Sequence, residues 1–260
     1  MTAGSPDSVK IRFENVWQRF HVVRKRARTL HSALVHLSAR RLMQFELEAL
    51  KGVSFAVPAG ETLGIIGRNG SGKSTILKII ARIFPPSAGR VEVNGHVSPL
   101  IELGAGFHPE LTGRENVVLA GVLLGFTRRQ MEGKLDAILA FAGMQEFADT
   151  PLRQYSTGML ARLGFAVATE IDPDILLVDE VLAVGDEGFQ RKCLERMNSF
   201  RRQGKTMVFV SHEMGQVRAV CDRVLLLHDG EVLAEGKPDE VIARYHALLR
   251  EMGPGAPVRK

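Results

Sequence analysis

Residues Gly67 to Ser74 form a pattern typical of phosphate binding: a glycine, any four residues, then glycine, lysine and serine. Glycines let the backbone wrap closely around phosphate oxygens, and successive N–H groups at a helix N-terminus point at the anion. An apolar run, Thr62 to Ile66, precedes the pattern, and an apolar helical stretch, Thr75 to Phe84, follows it. The sequence therefore predicts a strand-to-helix loop that binds a nucleoside phosphate through Gly67, Arg68, Asn69, Gly70, Ser71, Gly72, Lys73, Ser74 and Thr75.

Three further polar residues follow two other apolar runs. Asp179 and Glu180 come after Ile175 to Val178, and His212 comes shortly after Thr206 to Val210. Asp179 is suited to hold Mg²⁺ together with the serine of the phosphate loop, and Glu180 to orient and polarise the attacking water. His212 is suited to contact the γ-phosphate, although a lone histidine is more often structural. Because acids at strand ends are common, it is their combination with a phosphate loop that indicates phosphoryl transfer.

Strands that alternate with helices must position these residues. Apolar runs predict strands at 10–16, 50–57, 62–66, 175–178 and 206–210, and a hairpin over 224–235. Helical patterns cover 75–84, 115–125, 128–142, 158–169 and 238–250. This alternation predicts an α/β fold with a mostly parallel sheet core wrapped by helices. Ligands bind such sheets at the carboxyl ends of the strands, where the polar residues described above fall.

Composition sets limits on the class of protein. The chain has 260 residues, a net charge of +5 and two widely spaced cysteines, Cys193 and Cys221, which favour a reducing compartment. Residues Met1 to Val9 lack the apolar core of a secretory signal, so we expect none there. The apolar stretch Val117 to Phe126 is too short to span a bilayer, which needs about 20 apolar residues. A basic surface suits nucleic acid, anionic lipid or an acidic polymer, and charge alone does not choose among them.

A basic segment interrupts the pattern between the first two strands. No acid lies between Glu14 and Glu46, and Leu30, Leu34 and Leu37 recur at helical spacing. We therefore predict a basic helical insertion over residues 18–46. The competing interpretation is a solvated basic helix that rests on the domain and has no further role.

The segment Tyr155-Ser156-Thr157-Gly158-Met159 resembles the signature motif of ABC ATPases, whose usual form is Leu-Ser-Gly-Gly-Gln. The resemblance implies a P-loop ABC-type nucleotide-binding domain over residues 1–250, with an antiparallel β subdomain, a helical subdomain at 112–171 and a flexible tail at 251–260. It also implies ATP and Mg²⁺ as ligands. Two such domains pair head to tail in this family, so Ser156 and Gly158 would contact the γ-phosphate bound by a second copy.

Other segments extend the resemblance. Ala183 to Asp186 matches the family's D-loop, and Phe20 matches an aromatic residue that stacks on adenine, a contact worth about 1 kcal/mol. The basic insertion makes the distance from Phe20 to the phosphate loop unusual, so His21 is an alternative. Glu102 stands where the family's Q-loop has a glutamine, and the implied metal ligands are Ser74, Glu102 and Asp179. A carboxylate still accepts a hydrogen bond from metal-bound water.

Glu102 in the Q-loop, the altered signature and the basic insertion after the first strand together resemble one subfamily, the ATPases that export O-antigen, capsule-like polymers and teichoic acids. That resemblance implies a homodimer of this subunit with two copies of a multi-pass membrane permease. It implies a lipid-linked glycan on polyprenyl diphosphate as the substrate, and a peripheral location at the cytoplasmic face of the inner membrane. The basic segment would then lie near anionic head groups. Some members append a C-terminal β-sandwich, and from the short remainder after Arg250 we expect none in this sequence.

Three other functions compete with this interpretation. A soluble ABC ATPase acting on nucleic acid or the ribosome would suit the basic charge, but such proteins usually carry two ATPase domains or a long coiled coil; we expect no nucleic acid partner. An ABC exporter for another lipid or a drug is disfavoured only by the Glu102 region and the signature, which resemble those of the polysaccharide exporters. A regulatory subunit without turnover is disfavoured by the presence of both Glu180 and His212.

Overall fold

The computed structural model describes residues 8–24, 43–100, 104, 106–170, 173–179 and 185–252. The strands within these ranges are β1 (Val9–Arg24), β2 (Met43–Pro58), β3 (Thr62–Ile66), β4 (Ala88–Val93), β5 (Val97–Pro99), β6 (Ile175–Asp179), β7 (Thr206–Val210), β8 (Arg223–His228) and β9 (Glu231–Gly236). The helices are α1 (Lys73–Ile80), α2 (Gly113–Leu123), α3 (Arg128–Ala142), α4 (Thr157–Glu170), α5 (Glu187–Arg202), α6 (Met214–Val220) and α7 (Pro238–Met252), with a 3-10 turn at Leu152–Gln154.

The central sheet has six strands in the order β5-β6-β7-β3-β8-β9. Its first five strands are parallel, and β9 pairs with β8 as an antiparallel hairpin. The strands are buried on both faces, as the continuous apolar runs of a parallel sheet require. The predicted α/β fold with a mostly parallel core is confirmed.

Alternate residues of these strands face two different layers. Ile175 and Leu177 pack in one apolar cluster with α1 and with the second sheet, an antiparallel ladder in the order β2-β1-β4. Leu176 and Val178 pack in another, which contains residues of α4, α5, α6 and α7. The central sheet is thus covered on both faces, and the carboxyl ends of its parallel strands lie together at one edge.

Helices α2, α3 and α4 form a part of the molecule with its own apolar cluster. Buried residues of this cluster come from each helix and from the connection before α4; they are Val117, Ala120, Met131, Leu135, Ile138, Leu139, Ala142, Met144, Ala148, Leu152, Tyr155, Leu163, Ala166 and Val167. Capping boxes begin two of the helices, with Thr112 and Glu115 at α2 and Thr127 and Gln130 at α3. These caps fix where the helices begin.

The basic insertion predicted as helical over 18–46 is wrong at both ends, because residues 18–24 and 43–46 lie in the strands β1 and β2. The two strands pair as far as Arg24 opposite Met43. The physical reason is cross-strand pairing, which stabilises a ladder when opposite charges face each other. Arg19 Nε lies 3.1 Å from Glu48 Oε1, and His21 faces Glu46 in the same register. Residues 25–42, which include the leucines at helical spacing, lie outside the described residues.

Both cysteines are buried and free. Burial raises the pKa of the Cys193 thiol and of the Cys221 thiol to about 12, so both are neutral at physiological pH. Among the described residues, no group of His, Cys, Asp and Glu side chains is arranged to hold a metal ion by itself. Nor does any helix of the described ranges have the length and apolar character needed to cross a membrane.

Candidate functional site

The phosphate loop connects β3 to α1, as the sequence predicts. Gly67 and Gly72 have positive φ angles of 150° and 107°, and neither has room for a side chain. A Cβ at Gly72 would lie 2.6 Å from Ala49 O, and one at Gly67 would lie 2.8 Å from Ser71 Oγ and closer still to Leu227 O. The glycines therefore allow a close backbone turn that any other residue would prevent.

The polar side chains of this loop are held in defined positions. Lys73 is buried, and its Nζ donates to Gly67 O at 2.8 Å and to Arg68 O at 2.9 Å. Ser71 Oγ is buried, and no hydrogen-bond partner for it occurs in the described part of the chain. Ser74 lies exposed in the first turn of α1. A helix N-terminus, a glycine cradle, a fixed ammonium group and an unsatisfied buried hydroxyl together fit the phosphate groups of a nucleotide.

The C-terminal helix also reaches this loop. Arg68 Nη1 lies 3.8 Å from Met252 Sδ, the last residue of α7. Tyr245, about two turns earlier in α7, is half-buried. Burial raises the pKa of its hydroxyl, and the nearby Arg68 charge partly opposes that rise. The sequence contained no signal for this contact, because it joins residues that are far apart in the chain.

The sheet order brings the other predicted strand ends beside the phosphate loop. Strand β7 lies between β6 and β3 in the sheet. Asp179 is the last residue of β6, and His212 comes shortly after the end of β7. Asp179 is partly buried, and His212 is exposed just beyond the buried Ser211. Ser211 Oγ accepts from Glu213 N at 3.0 Å, which shapes the turn that presents His212. Glu180 and Glu102, predicted to follow β6 and β5, lie outside the described residues.

The signature segment begins helix α4. Ser156 Oγ accepts from Met159 N at 3.2 Å, so the serine side chain caps the helix. Ser156 and Gly158 are exposed, and a Cβ built on Gly158 would lie 3.9 Å from Ser156 Oγ, with no closer side chain in the described part of the molecule. A capped helix N-terminus without large side chains can approach an anion closely. Within this chain, Ser156 and Gly158 thus present an open surface.

The connection before the signature is rigidly packed. Tyr155 is buried, and its hydroxyl donates to Phe147 O at 2.6 Å. Burial raises the pKa of that hydroxyl, assisted by the Asp149 charge, which keeps it a neutral donor. Arg162, one turn into α4, packs its guanidinium 5.0 Å from the Phe189 ring centroid and 3.8 Å from Asp186. The signature helix is thereby joined to the start of α5.

The end of the segment predicted as the D-loop caps helix α5. Asp186 Oδ1 accepts from Phe189 N at 2.8 Å, and Gly185 has a φ of 80°. Residues 183 and 184 of the same segment lie outside the described residues. The loop that leads from β6 into α5 therefore ends at a fixed position beside Arg162.

Phe20, the predicted adenine contact, lies in β1 opposite Leu47. Its ring is half-buried and meets the Phe84 ring edge-on at 5.6 Å between centroids. The alternative, His21, is exposed, with Nδ1 3.7 Å from Glu46 Oε1. The unusual spacing to the phosphate loop has a structural cause, since β1 and β2 are 16 residues each and form one long ladder. The adenine contact stays a prediction.

Sequence reasoning missed Asn116. This residue is fully buried in the first turn of α2 and makes four side-chain hydrogen bonds with the loop that precedes the helix. The available signal was a polar residue directly before the apolar Val117 and four residues after a helix-capping threonine. That pattern marks a side chain that turns back toward the helix N-terminus.

Comparison with known proteins identifies the family of this chain. A family model described as ABC transporter matches residues 50–183, slightly more than half of the chain. The O-antigen export system ATP-binding protein RfbB of Myxococcus xanthus is 52% identical over 203 residues, covering 78% of this chain and 46% of that protein. The teichoic acids export ATP-binding protein TagH of Enterococcus faecalis is 47% identical over 201 residues, covering 77% of this chain and 45% of that protein. The chain thus spans just under half the length of these two relatives.

A solved structure shares the same architecture. The dimeric structure of MJ0796, a bacterial ABC transporter cassette, superposes with a TM-score of 0.70 at 25% identity, covering 88% of this chain and 98% of that chain. The glycine loop, the adjacent strand ends and the capped signature helix of the present chain are the features on which the predicted ABC resemblance depends. With the family match, the prediction is confirmed: the chain belongs to the ABC transporter family and carries its ATPase domain.

Proposed function

We propose that this chain is the ATP-hydrolysing subunit of an ABC exporter that moves a polysaccharide, carried on a polyprenyl diphosphate lipid, across the inner membrane. The observation that supports the ATPase part is the strand order: β3, which leads into the phosphate loop, is followed across the sheet by β7 and then β6, and His212 comes shortly after β7 while Asp179 ends β6. The polysaccharide part rests on likeness, since relatives at 52% and 47% identity are named for O-antigen and teichoic acid export.

The residues have distinct roles in this proposal. The backbone from Gly67 to Gly72 holds the phosphates, while Lys73 contributes positive charge from a fixed position. Ser74 and Asp179, with Glu102, hold Mg²⁺, which neutralises phosphate charge when bound. Glu180 orients the attacking water and His212 contacts the γ-phosphate. The roles of Glu180 and Glu102 are argued from the sequence alone.

The proposed assembly contains two copies of this chain and two copies of a multi-pass membrane permease. The exposed Ser156 and Gly158 support a head-to-tail dimer, because this helix N-terminus is open to an anion held by another subunit. The location that follows is peripheral, at the cytoplasmic face of the inner membrane through the permease. We expect no nucleic acid partner, although the net charge of +5 keeps that alternative worth testing.

ATP hydrolysis by the wild type and by Glu180→Gln, alone and with the candidate membrane subunit, tests the catalytic part. We expect the wild type to turn over and Glu180→Gln to hold ATP in a stable dimer, because the water would lose its orienting carboxylate. Glu195→Gln is the matched control, since Glu195 is an exposed acid on α5 and its loss should change neither rate nor dimer. A wild type that is inactive in both settings would favour a nucleotide-binding regulatory subunit instead.

Polymer export needs a separate measurement. In cells that lack this chain, we expect lipid-linked glycan to accumulate on the cytoplasmic side of the inner membrane. The wild-type chain should restore its export, whereas Glu180→Gln should not. Purification of the chain with nucleic acid or ribosomes, together with normal glycan export in the deleted cells, would contradict the proposal. Export of a different lipid in the same cells would retain the ATPase role and replace the substrate.

A further inference from the structure

Arg68 connects the phosphate loop to helix α7. Its backbone carbonyl accepts from Lys73 Nζ at 2.9 Å and from Ser71 N at 3.2 Å. The first donor is the ammonium group that is suited to bind phosphate, and the second lies within the glycine turn of the loop. A displacement of Arg68 would therefore displace groups on which phosphate binding depends.

The side chain of Arg68 contacts the last turn of α7. Its Nη1 donates to Met252 Sδ at 3.8 Å, and its charge acts on the Tyr245 hydroxyl, whose pKa it lowers against the larger effect of burial. Tyr245 and Met252 are seven residues apart, so they lie on the same face of α7. A thioether sulfur is a weak acceptor, so the contact depends mainly on the packing of these side chains, which are all partly buried.

The earlier turns of α7 are anchored in the core. Val241 and Ile242 are buried in the apolar cluster that covers one face of the central sheet, and Tyr245 packs against the same cluster. Because close-packed interiors resist displacement, these contacts hold the helix at a defined position relative to the sheet. Arg68 therefore meets a partner in Met252 whose position is set by the core.

The support from α7 differs in kind from the support that the β8–β9 turn gives the loop. Gly230 N donates to Ser71 O at 3.1 Å, and this bond between backbone atoms does not depend on side chains. The contact between Arg68 and Met252 joins two side chains, so a substitution removes it while the β8–β9 turn stays in place. The two supports can thus be separated by experiment.

We infer that Met252 is a positioning residue for nucleotide binding: it holds the Arg68 side chain, and through the Arg68 carbonyl it holds the Lys73 ammonium group where the phosphates of ATP require it. Tyr245 supports the same guanidinium from the same face of α7. Neither residue of α7 contacts nucleotide in this account. The inference rests on the proposed function only in that the loop binds ATP. By linkage, bound ATP stabilises the last turn of α7 by as much as α7 strengthens ATP binding.

A double-mutant cycle on nucleotide affinity tests the inference, with a non-hydrolysable ATP analogue titrated in a calorimeter. We expect Met252→Ala to weaken binding about threefold, because the guanidinium loses its partner on α7. The same substitution in the Arg68→Ala background should weaken binding no further, since its effect passes through the Arg68 side chain. Additive losses, or a Met252→Ala variant with wild-type affinity, would overturn the inference.

Leu249→Ala is the matched control, because Leu249 is an exposed apolar residue of similar size in the same turn of α7. Its affinity for the analogue should equal that of the wild type, and a loss as large as that of Met252→Ala would contradict a specific contact with Arg68. In the ATPase assay, the Met252→Ala effect should appear in KM for ATP with kcat near the wild type. A lower kcat with an unchanged KM would also overturn the inference.

Hydrogen exchange on the wild-type chain keeps the inference testable if a variant does not fold. Addition of the analogue should raise the protection of amides in residues 67–74 and in residues 249–252 together. Protection confined to the phosphate loop would overturn the inference while the proposed ATPase function stands. A wild type that binds no analogue and shows no change in either segment would overturn both.

Discussion

Because Gly67 has no side chain, the phosphate loop can lie directly against the end of β8. The Gly67 φ of 150° and the closeness of Leu227 O mean that the loop passes against the end of β8 with no space between them. Gly230 N also donates to Ser71 O at 3.1 Å, so the β8–β9 turn supports the loop from the same side. The loop is therefore built before any nucleotide binds, which lowers the entropy lost on binding.

Replacement of Gly67 by alanine is expected to displace the loop from β8. Overpacking of this kind costs about 1–3 kcal/mol of stability, and the displaced N–H groups should weaken ATP binding by at least about tenfold, or 1.4 kcal/mol. Calorimetric titration with a non-hydrolysable ATP analogue and urea unfolding measure the two effects.

Gly133→Ala is the control for that variant. Gly133 is exposed in the interior of α3, and apart from its chain neighbours and the helix backbone no atom of the described residues lies within 4 Å of a Cβ built on it. Alanine there should stabilise the helix by about 0.5–1 kcal/mol and leave ATP binding unchanged. Equal ATP affinity in Gly67→Ala and Gly133→Ala would show that the close approach to Leu227 is not needed for the loop.

How far single residues could be predicted depends on whether their role is local. The phosphate loop, Asp179 and His212 could be located in the fold because each lies at or just beyond the end of an apolar run that forms a strand. The hydrogen bonds of Asn116 could not be predicted, because its partners lie in a loop whose path no local pattern specifies. The same holds for Arg68 and its neighbour Met252, which tertiary packing alone brings together.

Among the helices and strands, the ones predicted best from the sequence are those in which the hydrophobic periodicity and the residues that end an element coincide. Strands β3 and β7 and helix α3 lie at the predicted residues. Strand β1 extends well beyond its predicted end, because the acids that pair with its basic residues come from β2. Helix α5 was not predicted, although its buried residues Phe189, Cys193, Met197 and Phe200 recur at helical spacing. Its mostly charged surface obscured that narrow apolar stripe.

Helix α3 offers an element-scale prediction. Thr127 Oγ1 accepts from Gln130 N at 3.3 Å, and Gln130 Oε1 accepts from Thr127 N at 2.8 Å, which completes the capping box. Thr127→Ala should lower the free energy of unfolding by about 1 kcal/mol, since the Gln130 N–H loses its acceptor and Gln130 Oε1 loses the hydroxyl that donates to it. Urea unfolding measures the loss, and ATPase activity should not change. Thr127→Ser retains the acceptor and is the control; a serine variant as unstable as the alanine variant would assign the effect to the lost methyl group.

In the whole molecule, the phosphate loop and the signature lie in two separately packed parts, the central sheet and the helical part. The loop belongs to the central sheet, whereas Ser156 and Gly158 begin a helix of the separately packed helical part. Both are built completely within one chain, with glycines, caps and buried side chains already in place. Because Ser156 and Gly158 are exposed at a helix N-terminus, the phosphates bound by the loop of a second copy could lie against them, which is the physical reason to expect that copy.

Gly158→Ala isolates that requirement. Among the described residues beyond its chain neighbours and its own helix backbone, a Cβ at this position would meet no atom closer than Ser156 Oγ at 3.9 Å, so the variant should fold with unchanged or slightly higher stability. Across a head-to-tail dimer the same methyl group would face the γ-phosphate held by the other subunit. We therefore expect ATP-induced dimerisation, followed by light scattering in the Glu180→Gln background, to be lost while ATP binding by the monomer is retained. If Gly158→Ala still dimerises with ATP, the signature does not approach nucleotide as proposed, because the described residues leave space for that methyl group within the single chain.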